Sequence, residues 1–579
     1  MKACFLRLRF LWCVLLAAML TACGSYPSSP SSQLAPPLRA ATNPQSCAAL
    51  AGVSIPADRI GASAGLKSGA AVVDSATWTA ATPLRLGTGP MPEAMVNPAT
   101  PEHCKVLGHI RPVDPAAPNI HFQVNLPKEW TGAAVQLGGG GFNGVLINGY
   151  SLVRGAPFDK PAPLALGFVT VGTDSGHQNK PGVPLQAFAA NEEAFVNFAH
   201  AAYKKVKDVA VALMQITYGS APRYMVFSGS SEGGREGLTM AQRYPRDFQG
   251  VISRVPVINW TGLMHIGMSN GLAAMNEGWM NDEQTRLVHD AVLAACDLLD
   301  GAKDGIVSDP VGCRSKFDAA SLLCKDGQGA NCLNSAQIQA IKTLHAPMHY
   351  PFALAHAVTQ YPGRGPSAEA LPTLGVNGPM GGWRAWWLGS APPAMPTRPD
   401  TRSWDYSMGA IQHIFMQKPN ASAQELFSYK MENHRARVQQ VSALMDSTNP
   451  DLSAFHEAGG KLILMEYMGD YAQSPYAGIA YFESVQRQLG AQRVAQFAKL
   501  YAVPGVDHVG SGAPATADLF NALTAWIERG VAPAGLTLYE HSRELPLAAV
   551  RSRPLCEWPL VTRYKGGDIN TASSFACEK

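Results

Sequence analysis

The feature that most constrains the fold of this chain is a pentapeptide of the form G-x-S-x-G at residues 229–233. An apolar run at residues 225–227 precedes it, and a sequence of helical character follows it. A strand that turns sharply into a helix around a central serine exposes the serine hydroxyl at the edge of a sheet. A side chain at Gly229 or Gly233 would crowd so tight a turn. The pattern predicts that Ser231 is a nucleophile and that the first N–H groups of the helix face a developing oxyanion.

A second glycine-rich stretch lies upstream, where an apolar strand at residues 133–137 runs into residues 138–141, which are all glycine. In an α/β-hydrolase, the second donor of the oxyanion hole is a backbone N–H from a loop that follows an early strand. Glycine suits this position because no Cβ blocks the approach of the substrate oxygen. The alternative is a flexible loop without a catalytic role. The position after a core strand and before the nucleophile favours the oxyanion hole.

The other members of a catalytic triad follow the serine in the order acid, then histidine, that an α/β-hydrolase requires. One apolar strand ends at Asp470, and a later strand ends in a loop that contains His508. Asp507 is a rival acid, but adjacent side chains rarely point together, so Asp470 is preferred. Asp174 and His177 also lie at a strand end. They precede the serine, and we therefore expect them to pin a loop.

The core strands are interrupted by a long section, residues 257–455, that lacks a regular alternation of strands and helices. It is rich in Trp, Met, Pro and Gly. This composition predicts a lid domain in which aromatic side chains roof a pocket. The predicted fold class is therefore α/β, with an α/β-hydrolase core of residues 41–256 and 456–579 around a large inserted lid.

The N-terminus predicts export. Basic residues, an apolar run at residues 10–20 and small residues precede Cys23, which indicates a secretory signal peptide at residues 1–22. The ending is similar to a bacterial lipobox, in which Cys23 becomes the lipidated first residue; the alternative is simple secretion. Residues 23–40 are rich in Ser and Pro and predict a tether. We expect a periplasmic, outer-membrane-anchored or extracellular protein that contacts a membrane only through the lipid.

The cysteine count and the charge agree with an exported globular protein. Of 11 cysteines, two leave with the signal peptide and Cys23 would carry lipid, so an even set remains. Such a set predicts four disulfides. Pairing of sequence neighbours is the simplest arrangement, although the sequence does not fix it. A net charge of +3 excludes a general attraction to nucleic acid. The remaining cysteines are Cys47, Cys104, Cys296, Cys313, Cys324, Cys332, Cys556 and Cys577.

Three carboxylates, those of Asp297, Asp300 and Asp304, recur within a short stretch of the predicted lid. Gly residues between them make turns that expose backbone carbonyls. An oxygen-rich loop of this kind suits Ca²⁺, although its spacing is not that of an EF-hand. Asp-Gly pairs also occur in ordinary turns. The residues alone therefore leave a metal site and a plain turn equally open.

Together these stretches resemble the tannase and feruloyl esterase family of secreted α/β-hydrolases, and within it the bacterial hydrolases of terephthalate monoesters. The resemblance covers nearly the whole mature chain. It implies a serine carboxylic ester hydrolase that acts on feruloyl, galloyl or terephthalate monoesters through an acyl-enzyme. In that mechanism Ser231 is the nucleophile, His508 the base and Asp470 its orienter. The most specific stretches are residues 173–177, 231–237, 296–307, 383–389 and 563–571.

The resemblance also implies binding residues. The N–H groups of Gly139 and Glu232 would form the oxyanion hole, and Trp260 and Trp386 would contact the small aromatic ester. Arg398 is a candidate partner for a free substrate carboxylate, but no residue matches the family's lid arginine cleanly. A structural Ca²⁺ in the lid would be held by the carboxylates and carbonyls of Asp297, Asp300, Ala302, Asp304 and Ile306.

One departure from the family supports a different class of function. The family has a disulfide beside the triad, and its two positions are Ser230 and Val509 in this chain. A lipid-anchored binding protein that keeps the fold without turnover is therefore the alternative to an enzyme. The complete order of Ser231, Asp470 and His508 favours the enzyme.

Overall fold

The computed structural model describes residues 40–87, 96–325, 329, 331–367, 370, 374–375, 378–379, 381–392, 400–542 and 544–579. The predicted signal peptide, Cys23, Arg398 and nearly all of the predicted tether lie outside these residues. Within them, no helix combines the length and the apolar character needed to cross a bilayer.

A ten-stranded sheet forms the centre of the described structure. Its strands are β1 (Ser54–Ile55), β2 (Ala71–Thr79), β3 (His103–Ile110), β4 (Ile120–Pro127), β5 (Ala133–Leu137), β6 (Val169–Thr173), β7 (Tyr224–Ser230), β8 (Gly250–Arg254), β9 (Lys461–Tyr467) and β10 (Ala498–Val503). Their spatial order is β10-β9-β8-β7-β5-β6-β4-β3-β2-β1. Strands β5 to β10 are parallel to one another, and β4 to β1 continue the sheet in antiparallel pairs.

The burial of the strands follows from their sequences. The parallel strands β5 to β8 are mostly apolar or small and are buried at every position, as expected for strands covered on both faces. Strand β3 instead alternates between buried and partly exposed side chains. The sheet packs its buried side chains, such as Phe122, Phe227 and Leu464, against apolar residues of the helices that contain Val206 and Leu238.

Helices connect and cover the strands. Within the described residues, those of nine residues or more are α1 (Ala202–Tyr218), α2 (Glu232–Arg243), α3 (Trp260–Ala273), α4 (Asp282–Cys296), α5 (Ser335–His345), α6 (Arg402–Ala410), α7 (Arg435–Met445), α8 (Tyr476–Leu489) and α9 (Leu519–Arg529). Shorter helices span Pro44–Ala48, Glu192–Val196, Pro310–Lys316, Ala423–Phe427, Ser453–Glu457 and Ala491–Val494. Small antiparallel pairs join Ala40–Ala41 to Glu129–Trp130, Arg85–Leu86 to Val96–Asn97, Met348–His349 to Gln360–Tyr361, Leu374–Gly375 to Gly378–Pro379, Thr537–His541 to Ala549–Pro554, and Val561–Tyr564 to Phe575–Glu578.

The predicted lid, residues 257–455, lies between β8 and β9 in sequence. Its described part contains α3 to α7 and contributes no strand to the ten-stranded sheet. One apolar cluster joins this section to the rest of the chain, because Trp260 and Phe415 share it with Phe142 and Phe198. The lid section therefore packs against the segment that carries the glycine-rich loop.

Four disulfides link the eight cysteines of the described chain. Each joins neighbours in the sequence, so the simplest predicted pairing is confirmed. Disulfides of this kind are typical of proteins that are exported to an oxidising compartment. The pairs are Cys47–Cys104, Cys296–Cys313, Cys324–Cys332 and Cys556–Cys577.

Candidate active site

Ser231 occupies the turn between β7 and α2. Strand β7 ends at Ser230 and α2 begins at Glu232, so the turn consists of one residue. Ser231 has φ 60° and ψ −121°, a conformation that costs a non-glycine residue free energy and recurs at functional sites. The predicted need for glycine is confirmed, since a Cβ at Gly229 would lie 2.1 Å from the carbonyl oxygen of Gly233. The strand, turn and helix thus hold the Ser231 hydroxyl at the carboxyl edge of the sheet.

The structure brings together the three residues that the sequence order predicted as a triad. Nε2 of His508 lies 3.1 Å from Oγ of Ser231, and Nδ1 of His508 lies 2.6 Å from Oδ2 of Asp470. The other oxygen of Asp470 accepts the N–H groups of Ala472 at 2.7 Å and Gln473 at 3.0 Å. These bonds fix the Asp470 carboxylate, which in turn orients the imidazole.

The side chain of the rival acid, Asp507, forms hydrogen bonds within its own loop. Its Oδ1 accepts the N–H groups of Val509 at 3.1 Å and Ser511 at 2.8 Å. These bonds close a turn beside His508. Asp470 is therefore the carboxylate that pairs with the imidazole.

The second serine of the Ser-Ser pair has a different environment. Oγ of Ser230 accepts a hydrogen bond of 3.0 Å from Nε of Arg254. Arg254 is 2% exposed and also donates from Nη1 to the hydroxyl of Tyr467 at 2.9 Å. The Ser230 hydroxyl thus points into a buried polar network, whereas the Ser231 hydroxyl faces His508.

The hydrogen bonds of the glycine-rich loop contradict one of the two predicted oxyanion donors. The N–H of Gly139 donates to Oε2 of Glu236 at 3.0 Å, and the N–H of Gly140 donates to Oδ1 of Asn143 at 2.7 Å. A single N–H that is bonded to a buried carboxylate is not available to a substrate oxygen, so the prediction for Gly139 is wrong. Glu232 is the first residue of α2, and the first N–H groups of a helix have no partner within it.

Sequence reasoning missed the buried carboxylate under this loop. Glu236 is fully buried in α2, and its Oε1 accepts the hydroxyl of Tyr203 at 2.5 Å and Nδ2 of Asn143 at 2.7 Å. Burial raises the pKa of the Glu236 carboxyl, while Arg235 and these donors act in the opposite direction. The sequence did contain a signal for it, because Glu236 is an acidic residue among the glycines of α2. A carboxylate buried there needs several hydrogen-bond donors.

A buried ion pair holds the side chain of Glu232 away from the turn. Its Oε1 accepts from Nε of Arg235 at 2.7 Å. Arg235 has no exposed surface and also donates to the carbonyls of Ala199 at 3.0 Å and Met445 at 3.1 Å. Met445 ends α7 of the lid section. The helix behind the nucleophile is thus tied directly to the lid section.

The Asp174 and His177 pair pins loops, as predicted. Nε2 of His177 lies 2.8 Å from the carbonyl oxygen of Phe142 in the glycine-rich loop. Oδ1 of Asp174 accepts the N–H groups of His121 at 3.1 Å and Gly176 at 2.9 Å. The His177 ring is buried and stacks on Phe188 at 3.7 Å between centroids.

His177 should make the stability of the protein depend on pH. Burial lowers its pKa from 6.5 to about 4. Between these values the unfolded state binds more protons than the folded state, so stability is complete above about pH 6.5 and falls as the pH is lowered toward 4. Because one pKa unit corresponds to about 1.4 kcal/mol, up to about 3 kcal/mol is lost. His177→Gln keeps an N–H donor for the Phe142 carbonyl without titrating. We expect its melting temperature to fall less steeply between pH 6.5 and 4, and an unchanged slope would contradict this role.

Aromatic side chains surround the triad. The ring centroid of Trp386 lies 6.0 Å from His508, 5.6 Å from Tyr471 and 6.0 Å from Tyr406. Trp386 is partly exposed. Trp260, the other predicted contact residue, is 1% exposed and lies edge-on to Phe142 at 5.9 Å. The structure thus places Trp386 beside the catalytic histidine and Trp260 behind the glycine-rich loop.

The predicted calcium ligands lie on one buried loop after α4. Oδ1 of Asp297 accepts the N–H of Asp304 at 3.2 Å, Oδ1 of Asp300 accepts the N–H of Ala302 at 2.9 Å, and Oδ1 of Asp304 accepts the N–H of Ile306 at 3.0 Å. Arg553 forms a salt bridge with the second oxygen of Asp304. Among the described residues, no three of these side chains gather around one point.

One atom of this loop fits a cation. Oδ2 of Asp300 is buried and has no hydrogen bond of normal geometry within the described structure. Burial, with smaller contributions from the charges of Asp304 and Asp297, raises the pKa of the Asp300 carboxyl against the opposite effect of Ala302 and Ser308. A divalent cation would relieve both effects, and the donors are the hard oxygen atoms that Ca²⁺ prefers. The donor atoms of this loop therefore match the ligand type of Ca²⁺, although its carboxylates do not converge on one point in the described structure.

Comparisons with known proteins agree with this geometry. A family model described as tannase and feruloyl esterase matches residues 104–578. An uncharacterized esterase of Agrobacterium fabrum is 34% identical over 544 residues, which cover 92% of each chain. The mono(2-hydroxyethyl) terephthalate hydrolase of Piscinibacter sakaiensis is 31% identical over 555 residues, or 88% of each chain. Feruloyl esterase B from Aspergillus oryzae has a TM-score of 0.70 at 22% identity, over 90% of this chain and 100% of that one, which bears on the fold alone.

Proposed function

We propose, from the premise that the chain belongs to the tannase and feruloyl esterase family of carboxylic ester hydrolases, that it cleaves aromatic acid esters through an acyl-enzyme on Ser231. The α/β-hydrolase fold, with the nucleophile at the carboxyl edge of the parallel strands, suits this chemistry. The observation that carries the proposal is the position of His508, which lies 3.1 Å from Oγ of Ser231 and 2.6 Å from the Asp470 carboxylate.

The proposed reaction has two halves. Nε2 of His508 takes the proton of the Ser231 hydroxyl as Oγ forms a bond to the ester carbonyl carbon. The tetrahedral intermediate collapses, the bond to the alkoxy oxygen breaks, and His508 gives its proton to the leaving alcohol. Water then loses a proton to His508 and bonds to the acyl carbon. The bond from this carbon to Oγ breaks, and His508 gives the proton to Oγ, which releases the acid and restores Ser231. Asp470 remains ionised and stabilises the imidazolium in both halves.

Two backbone N–H groups are proposed to stabilise the oxyanion. The N–H of Glu232 is one, because it lies at the start of α2 immediately after the nucleophile. The N–H of Gly141 replaces Gly139 as the other. It makes no hydrogen bond within the described residues, whereas those of Gly139 and Gly140 do. A Cβ at Gly141 would lie 3.0 Å from the hydroxyl of Tyr406, whose ring is a neighbour of Trp386 beside His508.

The proposed acyl group is aromatic. Trp386, Tyr471 and Tyr406 supply ring surfaces close to His508, and flat apolar surfaces favour an aromatic ring. The name of one relative points the same way, because it is a mono(2-hydroxyethyl) terephthalate hydrolase. Feruloyl, galloyl and terephthalate monoesters are the candidate substrates. A role for Arg398 in binding a substrate carboxylate stays a prediction, since that residue lies outside the described chain.

A panel of esters tests the function. Methyl ferulate, methyl gallate and mono(2-hydroxyethyl) terephthalate should be hydrolysed with a higher kcat/KM than p-nitrophenyl acetate, which has the better leaving group but no aromatic acyl group. Preference for the acetate would reject the aromatic acyl site while leaving the esterase intact. Rates equal to those of Ser231→Ala on every ester would instead support a binding protein without turnover.

The proposed metal is a structural Ca²⁺ held by Asp297, Asp300, Asp304 and the carbonyls of Ala302 and Ile306. The ion would supply charge neutralisation to the loop after α4 and would take no part in ester cleavage. Because it binds only the folded state, a free concentration a hundredfold above Kd adds about 2.7 kcal/mol of stability. We expect EDTA to lower the melting temperature and to leave the initial rate at low temperature almost unchanged. Asp300→Asn should remove most of this dependence. A melting curve indifferent to both EDTA and added Ca²⁺ would contradict the site.

The proposed location is outside the cytoplasm, with a lipid on Cys23. The four disulfides agree with export, and the sequence of residues 20–23 resembles a bacterial lipidation signal. Mass spectrometry of the N-terminal peptide from bacterial membranes should find Cys23 diacylated. An unmodified N-terminus would reject the lipid anchor and support secretion without a lipid.

A further inference from the structure

Two histidines lie directly opposite each other on neighbouring strands of the antiparallel half of the sheet. His109 of β3 pairs with His121 of β4. The backbone of His121 is turned toward β6, because its N–H donates to Oδ1 of Asp174 at 3.1 Å and its carbonyl accepts the N–H of Asp174 at 3.2 Å. His109 and His121 are therefore a non-hydrogen-bonded pair of the antiparallel ladder between β3 and β4. In such pairs, opposite side chains come closest. The two ring centroids are 6.4 Å apart.

Nδ1 of each imidazole lies close to a carboxylate oxygen. Nδ1 of His109 lies 2.9 Å from Oδ1 and 3.0 Å from Oδ2 of Asp74. Nδ1 of His121 lies 3.0 Å from Oδ2 of Asp174. An ionised carboxylate only accepts hydrogen bonds, so the proton of each neutral ring is on Nδ1 and the lone pair is on Nε2. Neither Nε2 atom has a hydrogen-bond partner among the described residues.

This arrangement is the one that metal-binding histidines use. A histidine that ligates through one nitrogen commonly donates its other N–H to a carboxylate, which fixes the ring and raises the basicity of the ligating atom. Both members of the pair have such a carboxylate. The side chains of His109 and His121 are 19% and 41% exposed, so an ion from solvent can reach them.

From this geometry we infer that His109 and His121 form a binding site for a first-row divalent transition metal ion, with Nε2 of each ring as a ligand and water in the remaining positions. Imidazole nitrogen suits Cu²⁺, Ni²⁺ and Zn²⁺, and Cu²⁺ should bind most tightly of the three. Asp74 and Asp174 orient the rings and offset the charge of the ion. Ca²⁺, which prefers oxygen ligands, should not compete.

The site stands apart from the proposed ester chemistry. His109 and His121 lie on β3 and β4, whereas the triad is carried by the ends of β7, β9 and β10. Metal binding at this pair therefore does not depend on the assignment of Ser231. Because the ion joins two strands of the folded state, it should also raise the melting temperature.

The experiment is a calorimetric titration of the full mature protein with CuSO₄ or ZnCl₂, in Ca²⁺-containing buffer after removal of transition metals. The wild type should bind one equivalent that both His109→Gln and His121→Gln lose. Asp74→Asn should keep the site but weaken it by about 10- to 100-fold. His349→Gln is the matched control, because His349 is an exposed strand residue without a histidine opposite it. The copper complex should show two nitrogen ligands by electron paramagnetic resonance.

Two results would overturn the inference. One is an equivalent of metal that survives in the His109→Gln, His121→Gln double variant with unchanged affinity. The other is the absence of any uptake by the wild type that exceeds uptake by the double variant. Retention of esterase activity and of the metal-free melting temperature shows that a variant is folded. If a histidine variant fails this check, Asp74→Asn decides, since an affinity equal to that of the wild type would exclude the carboxylate-supported site.

Discussion

Replacement of Ser231 by alanine is expected to lower kcat for methyl ferulate by about 10⁶-fold, the loss typical of a triad that acts as a unit. The Ser231 hydroxyl is the group within hydrogen-bond distance of His508, at 3.1 Å from Nε2. Without it, His508 and Asp470 have no proton to move and no acyl-enzyme forms. The measurement is kcat and KM on an aromatic ester, together with trapping of the acyl-enzyme in the wild type by mass spectrometry.

Ser230→Ala is the matched control. It removes a hydroxyl of the same size from the adjacent residue, but this hydroxyl accepts a hydrogen bond from buried Arg254 at 3.0 Å. The change should cost about 1 to 3 kcal/mol of stability, since a buried charged donor loses one hydrogen-bond partner. Its kcat should remain within about tenfold of the wild type, or about 1.4 kcal/mol in activation free energy. Comparable activity of the two alanine variants would remove Ser231 as the nucleophile.

The triad could be predicted because each member lies at the end of an apolar strand, and because the fold prescribes the order of the three. The sequence alone predicts the strand ends at residues 230 and 467. It also shows that Asp470 and His508 come just after apolar runs. The choice between Asp470 and Asp507 also needed only the general rule that adjacent side chains diverge. Local sequence was sufficient to predict a catalytic residue wherever the end of a strand fixes the position of that residue.

The oxyanion donor could not be predicted in the same way. Whether the N–H of Gly139 faces substrate depends on Glu236, which lies 97 residues away and reaches it only in the folded protein. Four consecutive glycines offer several similar N–H groups, and sequence does not say which of them a buried carboxylate occupies. Trp260 and Trp386 present the same difficulty, since one is buried behind Phe142 and the other is partly exposed beside His508. Exposure is decided by packing between segments that are distant in sequence.

Asp470→Asn is expected to lower kcat by about 10⁴-fold with little change in KM, because it forces the wrong tautomer on the histidine. Oδ1 of Asp470 accepts two backbone N–H groups, those of Ala472 and Gln473. The carbonyl oxygen of the asparagine must take this position, so its NH₂ group faces Nδ1 of His508. Nδ1 then has to accept, the proton of the neutral ring moves to Nε2, and Nε2 cannot take the proton of Ser231.

A second buried carboxyl provides the control for Asp470→Asn. Glu466 of β9 has no exposed surface, and neither carboxyl oxygen has a hydrogen bond of normal geometry within the described residues. Burial, and then the charge of Asp470, raise the pKa of Glu466 well above its ordinary range. Burial thus favours the neutral carboxyl, and Glu466→Gln replaces it by an uncharged side chain of similar shape. Its kcat should change by less than about tenfold, or about 1.4 kcal/mol. A large loss in both variants would mean that disturbed packing under the triad, rather than loss of the hydrogen bond from Nδ1 to Asp470, lowers kcat.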